Sequence, residues 1–344
     1  MAISRVKGTA LLSSVTETCP AVQDSSEYRW STEQTAPKDR FDYWREVRAK
    51  GLFGATTELE REKRPQFFGE FALRKFGPAG FIELRASPYQ VERSATDIAN
   101  TPSDSLCIYQ QLGSGGWFSG GRLKEFSVRH GMFATSYSDL PYGTMPLAED
   151  GFHLRILKVP VANMLPSRTG LGDLVPKPFQ EQTALRPLLD SCFEDLVDAG
   201  DDTSSANTAP LVQALARFAL IERGVVRPDG RLAQQALRVG RLSLARRLIT
   251  RHLSRRGLSP AMVAGLLGIS VRHMHILFET TGMSFSQTVT AQRIERSRRL
   301  LRETPTRPIA DIAYVCGFES LATFYRAFNA AEAMPPGDYR AGGT

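Results

Sequence analysis

A helix–glycine–helix pattern that occurs twice in the last third of the chain constrains the fold more than any other feature. In the first copy, Ser259 and Pro260 indicate a helix start, because a serine hydroxyl caps free backbone N–H groups and proline has no N–H to leave unpaired. Gly268 indicates the turn, since glycine adopts the left-handed conformation that ends many helices. Ser270 indicates the start of the next helix. The pattern predicts a helix-turn-helix unit over residues 259–278.

The second copy begins with Pro308 at the start of its first helix. Gly317 marks its turn, which Glu319 lengthens by one residue, and Ser320 stands where the first copy has Ser270. Apolar residues that would close the core between the helices occupy matching positions: Val263, Leu267, Ile269, Met274 and Phe278 in the first copy, and Phe318, Phe324 and Phe328 in the second. One such hairpin is common in helical proteins, but two matching copies predict a tandem helix-turn-helix domain.

The excess positive charge of the chain is confined to the same third. Residues 231–344 contain 17 arginines, no lysine and 7 acidic residues, a net charge of +10, whereas the rest of the chain has 26 basic and 29 acidic residues, a net charge of −3. This asymmetry predicts a polyanionic partner for the C-terminal third, and double-stranded DNA fits the tandem motif. A basic surface that is only solvated is the alternative that charge by itself leaves open.

The segment between the two copies predicts a rod. Residues 286–302 have helical spacing and, at 1.5 Å for each residue, would form a helix of about 25 Å. Such a rod would hold the second helices of the two units roughly one turn of DNA apart, about 34 Å, so that one chain could contact two successive major grooves. Arg293 and Arg298 on this rod are predicted to neutralise phosphates.

The second helix of each unit carries the predicted base contacts. The residues expected to face DNA are Arg272, His273, His275 and Ile276 on the first, and Leu321, Ala322, Thr323 and Arg326 on the second. Arg272 has the planar donor pair that matches guanine, and Leu321 and Ala322 suit thymine methyl groups. For Arg272, contact with a phosphate or with solvent is the alternative. A metal site at His273 and His275 is disfavoured, since residues i and i+2 of a helix do not face each other.

The N-terminal two thirds of the chain change from helical to alternating spacing. Residues 38–50 predict a helix, and short runs bounded by glycine and proline then predict strands at 66–76, 81–93, 105–112, 117–119, 123–128, 132–136 and 152–159. Many short strands with tight turns predict an antiparallel sandwich or barrel. Two helices follow, at 185–199 and 210–223, as a hairpin that would serve either dimerisation or packing on the sheet.

These patterns divide the chain into three parts. Residues 1–30, rich in serine and threonine, predict a flexible tail, residues 31–228 an effector-binding and dimerisation domain, and residues 229–344 the DNA-binding domain, with residues 224–230 as the linker. No run of 18 apolar residues occurs, so we expect no membrane span, no membrane partner and a cytoplasmic location.

Few residues of the strand-rich domain carry catalytic or metal-binding chemistry. The cysteines of the whole chain are scattered, which predicts reduced thiols rather than a disulfide framework or a zinc site: Cys19, Cys107, Cys192 and Cys316. His130 and His153 lack the clustered spacing of a metal site, and no nucleotide-binding or hydrolase motif occurs. We therefore expect no cofactor, no metal and no enzymatic activity. The candidates for an effector pocket, on strands where aromatic residues are more often plain core, are Arg85, Tyr109, Gln111, Trp117 and Tyr137.

The C-terminal motifs resemble those of the AraC/XylS family of bacterial regulators. In the second half the resemblance rests on Ile309–Ala313, Gly317–Ser320, Phe324–Phe328, Pro335 and Tyr339-Arg340, and in the first half on Leu258-Ser259, Ala264, Phe278, Gly282, Ser284-Phe285, Arg293 and Arg298–Leu301. It begins near Arg238 and departs at Phe328–Ala333, where the family often has two lysines, so that one phosphate-contacting lysine is missing. The N-terminal segments Phe41–Glu46 and Arg93-Ser94 resemble a sensor domain found in the same family.

The resemblance implies an α+β protein. Its N-terminal domain would be a cupin-like antiparallel β-barrel with a helical dimerisation hairpin, and its C-terminal domain would be all-α with two helix-turn-helix units. The implied function is sequence-specific transcription regulation, as an activator that responds to a small organic effector bound in the barrel. Implied partners are promoter or operator DNA, RNA polymerase and a second copy of the chain, in the bacterial nucleoid.

Two other functions remain as alternatives. One is a DNA-binding regulator that needs no effector. The other is an enzyme fused to a DNA-binding domain of this kind, as in DNA-alkylation response proteins. Those enzymes use a four-cysteine zinc site and a reactive cysteine, and the scattered cysteines of this chain argue against that alternative.

Overall fold

The computed structural model describes residues 27–120, 123–164, 170–200 and 205–342. The predicted flexible tail lies outside the described residues up to residue 26, as does Cys19. The end of that predicted tail is a strand instead, because Glu27–Ser31 pair with Gly69–Phe76. Trp30 packs edge-on against Phe71 with ring centroids 5.7 Å apart. This pairing extends the N-terminal domain back to residue 27.

The N-terminal domain is built from two antiparallel sheets. In the described part of the chain the strands are β1 (Glu27–Ser31), β2 (Thr56–Glu58), β3 (Gly69–Phe76), β4 (Ala79–Ala86), β5 (Gln90–Arg93), β6 (Ser105–Gln111), β7 (Gly115–Gly120), β8 (Leu123–Arg129), β9 (Phe133–Tyr137), β10 (Tyr142–Pro146), β11 (Phe152–Pro160) and β12 (Lys177–Pro178). One sheet has the order β1-β3-β4-β11-β6-β9-β12 and the other the order β2-β5-β10-β7-β8.

Helices frame these sheets and make up the rest of the chain. They are α1 (Arg40–Gly51), α2 (Ala95–Asn100), α3 (Arg186–Asp198), α4 (Ser205–Glu222), α5 (Arg231–Arg251), α6 (Pro260–Leu267), α7 (Val271–Glu279), α8 (Phe285–Glu303), α9 (Ile309–Val315), α10 (Leu321–Glu332) and α11 (Pro336–Ala341). The architecture is the predicted α+β class. Among the described helices none is by itself long and apolar enough to cross a membrane, and only the bent pair of α6 and α7 reaches that length and apolarity jointly.

The central strands separate two apolar cores, because successive side chains of a strand point to opposite faces. On β6, Cys107 and Tyr109 face the five-stranded sheet, and they pack in a core with Phe118 of that sheet. The neighbouring residues Leu106 and Ile108 face the other way, into a core that they share with α3 and α4. Two stacked antiparallel sheets are the arrangement expected for the cupin-like domain.

Helices α3 and α4 cover the outer face of the seven-stranded sheet. Phe193 of α3 is fully buried and packs against Phe81 and Phe133, with ring centroids 5.4 and 5.1 Å away. Phe218 of α4 is buried in the same core. The helical hairpin was expected to serve either dimerisation or packing on the sheet. Its buried face packs on the sheet.

Helix α5 belongs to both halves of the molecule. Its N-terminal half packs on α3 and α4, where Gly240 approaches so closely that an added Cβ would lie 2.7 Å from the ring of Phe218. Its C-terminal half contributes Ala245 and Ile249 to the core of the first helix-turn-helix unit. Residues 224–230 connect α4 to α5, but the packing does not divide at the predicted domain boundary of residue 229.

A polar contact joins α5 to α3 near the middle of the shared helix. Arg247 forms ion pairs with Asp195 and Asp198, each at 2.7 Å. Ser243 is buried and lies 2.6 Å from both the Ser191 hydroxyl and an oxygen of Asp195. Although burial opposes it, the two carboxylates raise the pKa of Arg247. The C-terminal domain is therefore anchored to the N-terminal domain through one rigid helix.

Candidate DNA-binding interface

The first helix-turn-helix unit has the geometry that its sequence predicted. The Ser259 hydroxyl accepts the backbone N–H of Met262 at 3.3 Å, and the Ser270 hydroxyl accepts that of His273 at 3.1 Å. Between the two helices, Gly268 adopts the left-handed conformation with φ of 65°. Helices α6 and α7 are bent by 100° relative to each other, as in DNA-binding units of this kind.

One face of α7 is free to meet DNA. Arg272, His275, Ile276 and Glu279 are all exposed, and they lie at positions i, i+3, i+4 and i+7, which share one side of a helix. The opposite side of α7 is buried in the core of the unit. Within the described part of the chain Arg272 forms no hydrogen bond or ion pair, so its guanidinium is available to an external acceptor.

Helix α10 presents the equivalent face in the second unit. Ser320 caps it by accepting the N–H of Thr323 at 3.2 Å. The exposed residues that share one face of α10, at positions i, i+3, i+4 and i+7, are Ala322, Tyr325, Arg326 and Asn329. Counted from the capping serines, these four correspond one to one with the four exposed residues of α7. Sequence reasoning missed Glu279, Tyr325 and Asn329, although the i, i+3, i+4, i+7 spacing from each cap would have found them.

Three predicted base contacts occupy less favourable positions. Leu321 is half-buried and packs on the core of the second unit, so its side chain is not free for a thymine methyl group. His273 is half-buried beside the helix cap. Thr323 is exposed, but its hydroxyl lies 3.0 Å from that of Ser320 at the cap. Partial burial accounts for Leu321 and His273, and the hydroxyl contact at the helix cap accounts for Thr323.

Arg298 is paired inside the protein rather than free for phosphate. Helix α8 is the predicted rod, and on it the guanidinium of Arg298 bonds to Glu332 of α10 and, at 2.7 Å, to Glu295. Hydrogen bonds to Glu332 and Glu295 raise the pKa of Arg298. Its charge is therefore compensated within the domain, and the phosphate contact expected of Arg298 remains a prediction.

Arg293 is also engaged internally. Its Nε donates to the carbonyl of Leu253 at 3.2 Å and its Nη2 to the carbonyl of Arg255 at 2.8 Å. Burial lowers the pKa of this guanidinium. The predicted phosphate contact is thus replaced by a contact within the domain, because backbone carbonyls lie within reach of the fork. The exposed arginines that remain to attract DNA include Arg246, Arg251, Arg255, Arg256, Arg272, Arg299, Arg302 and Arg326.

The predicted effector residues fall on different faces of the N-terminal sheets. Tyr109 and Gln111 do point between the two sheets, where the Tyr109 hydroxyl lies 3.1 Å from that of Ser136. Tyr137 instead packs in the core under the helices and bonds to Asp104 at 2.7 Å. Arg85 is exposed on the outer side of β4.

Trp117 also points away from the space between the sheets. It is half-buried on the outer face of the five-stranded sheet, where it lines a groove of about 400 Å³ together with Glu92 and Glu125. Its neighbour Phe118 takes the inward position. The structure therefore does not bring the five predicted effector residues together, because adjacent strand positions alternate between faces.

A group of buried cations, missed from the sequence, lies at one end of the space between the sheets. The side-chain charges of Arg48, Arg93 and Lys158 surround the ring of Phe53 at 5.9, 4.5 and 5.8 Å from its centroid. Arg48 and Arg93 are buried and Lys158 is half-buried. Lysine in the apolar run of β11 was the one sequence feature that could have pointed to them.

Only partial compensation balances these charges. Asp139 pairs with Arg93 at 3.1 Å, and the other polar contacts of the three cations are chiefly to backbone carbonyls such as Ser138 and Phe53. Burial lowers the pKa of Lys158, which the charge of Arg93 lowers further. Three buried tyrosines, Tyr89, Tyr109 and Tyr142, belong to the same core. The core between the sheets is thus rich in aromatic residues and contains an excess of buried positive charge.

Within the described residues, no group of three or more histidine, cysteine or acidic side chains is placed to hold a metal ion. His130 is exposed and its Nδ1 lies 2.6 Å from the carbonyl of Leu112, and Cys107, Cys192 and Cys316 are buried and unpaired.

Comparison with known proteins finds relatives of the C-terminal domain and of most of the chain. Residues 263–342 match the family described as "Helix-turn-helix domain". The HTH-type transcriptional regulator GlxA of Rhizobium meliloti (strain 1021) is 40% identical over 86 residues, which cover 25% of this chain and 26% of GlxA. The transcriptional activator NphR of a Rhodococcus species is 25% identical over 297 residues, 84% of this chain and 85% of NphR. The chain thus matches about a quarter of the length of GlxA and most of that of NphR.

Among solved structures, the AraC-like transcriptional activator CuxR is 19% identical, with a TM-score of 0.49 over 78% of this chain and 95% of CuxR. The alignment with NphR extends over both domains, and that with GlxA covers a segment of the size of the tandem unit. Together with the two capped helix pairs, the family match shows what the C-terminal part is. Residues 263–342 form a helix-turn-helix domain, and the chain is similar over most of its length to a transcriptional activator.

Proposed function

We propose that one copy of the chain reads two successive major grooves of a promoter or operator, through α7 and α10. The proposal rests on the two equivalent exposed faces of α7 and α10. Four residues form each face, and a serine caps the start of each helix. Nineteen residues of α8 join the two units, a length of about 28 Å that is close to one turn of DNA. The exposed arginines supply the attraction to phosphates.

Footprinting tests this mode of binding. The probe is a duplex that the full-length protein selects from a random-sequence library. We expect protection of two major-groove segments on one face of the duplex, about 10 base pairs apart. Protection of a single segment would mean that only one of the two units contacts bases.

We propose that the N-terminal domain binds a small organic anion between its two sheets. Among the residues that the structure describes, the three cations around Phe53 have one carboxylate partner, Asp139, and burying unpaired charge is unfavourable. An organic carboxylate or phenolate would compensate that charge, while the aromatic core would accommodate its apolar body. Tyr109 and Gln111 remain candidates for orienting it. Arg85, Trp117 and Tyr137 are not part of this proposed site.

A thermal-shift screen tests the effector class with the full-length protein. Aromatic carboxylates should raise the Tm, matched aromatic amines should not, and Lys158→Met should reduce the shift. Stabilisation by the amines alone would contradict the charge argument. If no compound of either class binds, the effector-independent regulator becomes the better interpretation. A stoichiometric bound metal or turnover of the compound would favour the alternative of a fused enzyme.

We further propose that the protein activates transcription in the cytoplasm as a homodimer that contacts RNA polymerase. The support is the named activity of NphR, a transcriptional activator that matches most of the chain. Sedimentation of the free protein, and transcription in vitro from the selected duplex with and without the effector, test the dimer and the activation separately.

A further inference from the structure

We propose that Arg293 is a positioning residue that fixes the distance between the two recognition helices, so that the protein accepts only binding sites with one spacing. The inference rests on the proposed binding to two successive grooves. It concerns the joint between the two helix-turn-helix units, where Arg293 of α8 contacts both the segment after α5 and the second unit.

The first contacts are with the segment that follows α5. The Arg293 guanidinium donates to the carbonyls of Leu253 and Arg255, at 3.2 and 2.8 Å. Leu253 is buried in the core of the first unit. Carbonyls beyond the end of a helix lack helical partners, and a cation there is also favoured by the helix dipole. These bonds fasten the rod α8 to the first unit.

The next contact is with the second unit. The same guanidinium lies over the ring of Phe318, 5.8 Å from its centroid, and Phe318 is buried in the core of the second unit. Through Arg293, helix α8 therefore contacts one residue of the first core, Leu253, and one residue of the second core, Phe318. A planar, delocalised guanidinium suits this position because its edge donates to two carbonyls while its face stacks on an aromatic ring.

The glycine turn of the second unit packs closely against the first unit at this joint. Gly317 adopts φ of +93°, and a Cβ at that position would lie 2.3 Å from the Leu253 carbonyl oxygen and 3.0 Å from Nε of Arg293. The turn before α10 is thus pressed directly against the segment that anchors the first unit. Arg256 adds a further contact across the joint, with its guanidinium 4.9 Å from the centroid of the Tyr314 ring.

A rigid joint between two reading helices makes the protein sensitive to spacing. One inserted base pair moves the second binding segment by about 3.4 Å along the DNA and rotates it by about 35°. If the joint holds, only one unit can then contact its segment without distortion. A loosened joint would let α10 follow the displaced segment, at the expense of the affinity that preorganisation provides.

The test compares two duplexes: the one selected by the full-length protein, and the same duplex with two base pairs inserted between its protected segments. Wild-type protein should bind the lengthened duplex about 30-fold more weakly or worse. Arg293→Gln, which cannot stack as a cation or donate to both carbonyls in the same way, should bind the selected duplex about tenfold more weakly but lose only a few-fold more on insertion. Arg299→Ala, an exposed arginine of the same rod, should keep the wild-type ratio.

Random-sequence DNA separates positioning from phosphate contact. Equal weakening of Arg293→Gln on the selected, lengthened and random duplexes would make Arg293 a phosphate contact and overturn the proposal. So would a wild-type insertion ratio in a folded variant. If Arg293→Gln does not fold, Arg293→Lys, which keeps the charge but not the fork, should show an intermediate ratio, and a wild-type ratio there would equally overturn it. Wild-type protein that ignores the insertion would instead refute the two-groove binding itself.

Discussion

At the scale of single residues, the role of an arginine in this domain depends on what its guanidinium already binds. Arg272 is exposed and has no internal partner in the described part of the chain, whereas Arg293 and Arg298 are held by carbonyls and carboxylates. Composition treats all three alike. The sequence could therefore predict that arginines face DNA but not which of them are free to do so, because the competing partners come from distant segments such as Leu253 and Glu332.

We expect Arg272→Ala to reduce both affinity and base preference. Residues in the first turns of such recognition helices reach base edges, and the arginine fork matches guanine. The change should cost about 1–3 kcal/mol on the selected duplex and relax preference at one or two base pairs. Titrations against duplex variants and random DNA measure both effects. Loss of specific and non-specific binding by the same factor would identify Arg272 as a phosphate contact only.

The described cysteines should be unreactive in the folded protein. Burial raises the pKa of Cys107 to about 11 and that of Cys192 to about 12, and it raises the pKa of Cys316 as well. A raised pKa keeps the thiol protonated below it, and the thiolate is the form that reacts. In a Cys19→Ser background, iodoacetamide at about pH 8 should label none of the three until the protein is denatured. Rapid labelling of Cys107 in folded protein would show that its burial is not maintained in solution.

At the scale of elements, the helices of the C-terminal domain were predictable because their ends are marked by local chemistry. The serine caps and the glycine turns at Gly268 and Gly317 all occur where expected. The strands were less predictable. The run 81–93, predicted as one strand, contains the end of β4 and all of β5. Strand β10 lies outside every predicted strand, because proline and glycine flank its start.

The candidate effector residues show why the sheets limit prediction. Alternation identifies which residues of a strand share a face, but the pairing register and the neighbouring elements decide which face is inside. Tyr109 points between the sheets, Tyr137 points toward the helices, and Trp117 points outward, although all three lie on strands with similar patterns. The three cations around Phe53 come from helix α1 and from one strand of each sheet, so no local pattern collects them.

Two glycines in helices should respond oppositely to alanine. In α5, Gly240→Ala should lower the free energy of unfolding by about 1–3 kcal/mol, because the new Cβ would meet the Phe218 ring and Leu188 in a packed contact. In α6, no atom lies within 4 Å of an added Cβ at Gly265, so Gly265→Ala should raise it by about 0.5–1 kcal/mol through helix propensity. Denaturant unfolding of the two variants measures the difference. Stabilisation by both would mean that α5 does not pack closely on α4.

At the scale of the whole molecule, the net positive charge of the C-terminal third exceeds the positive charge that is available to bind DNA. The net charge of +10 in residues 231–344 includes Arg247, Arg293 and Arg298, which all bind internal partners. The affinity for DNA should still fall steeply with salt, because binding to phosphates releases counterions. The slope should reflect only the exposed arginines.

The salt dependence of DNA binding can separate solvent-exposed arginines from Arg298, which is held in a closer pair. Removing the pair Arg298 and Glu332 together, as Arg298→Ala with Glu332→Ala, should leave the slope of log affinity against log salt nearly unchanged. Arg299 is 65% exposed and lies 4.0 Å from the exposed Glu303, a pair that solvent weakens, so Arg299→Ala should reduce the slope by about one. Anisotropy titrations at several salt concentrations give the slopes. A larger change for the double variant than for Arg299→Ala would reverse the assignment.

The packing of helix α5 determines where the N-terminal domain of such a regulator can be replaced by that of another protein. Chimaeric sensors are made by exchanging one protein's effector domain for another's, and the loop at residues 224–230 is the obvious place to join them. A joint there would transfer all of α5 with the DNA-binding domain, leaving the new α3 and α4 to receive an unrelated helix and Arg247 without Asp195 and Asp198. A workable chimaera would instead splice within α5 just after Arg247, which keeps Arg247 with Asp195 and Asp198 of the same sensor and leaves Ile249 with the DNA-binding domain.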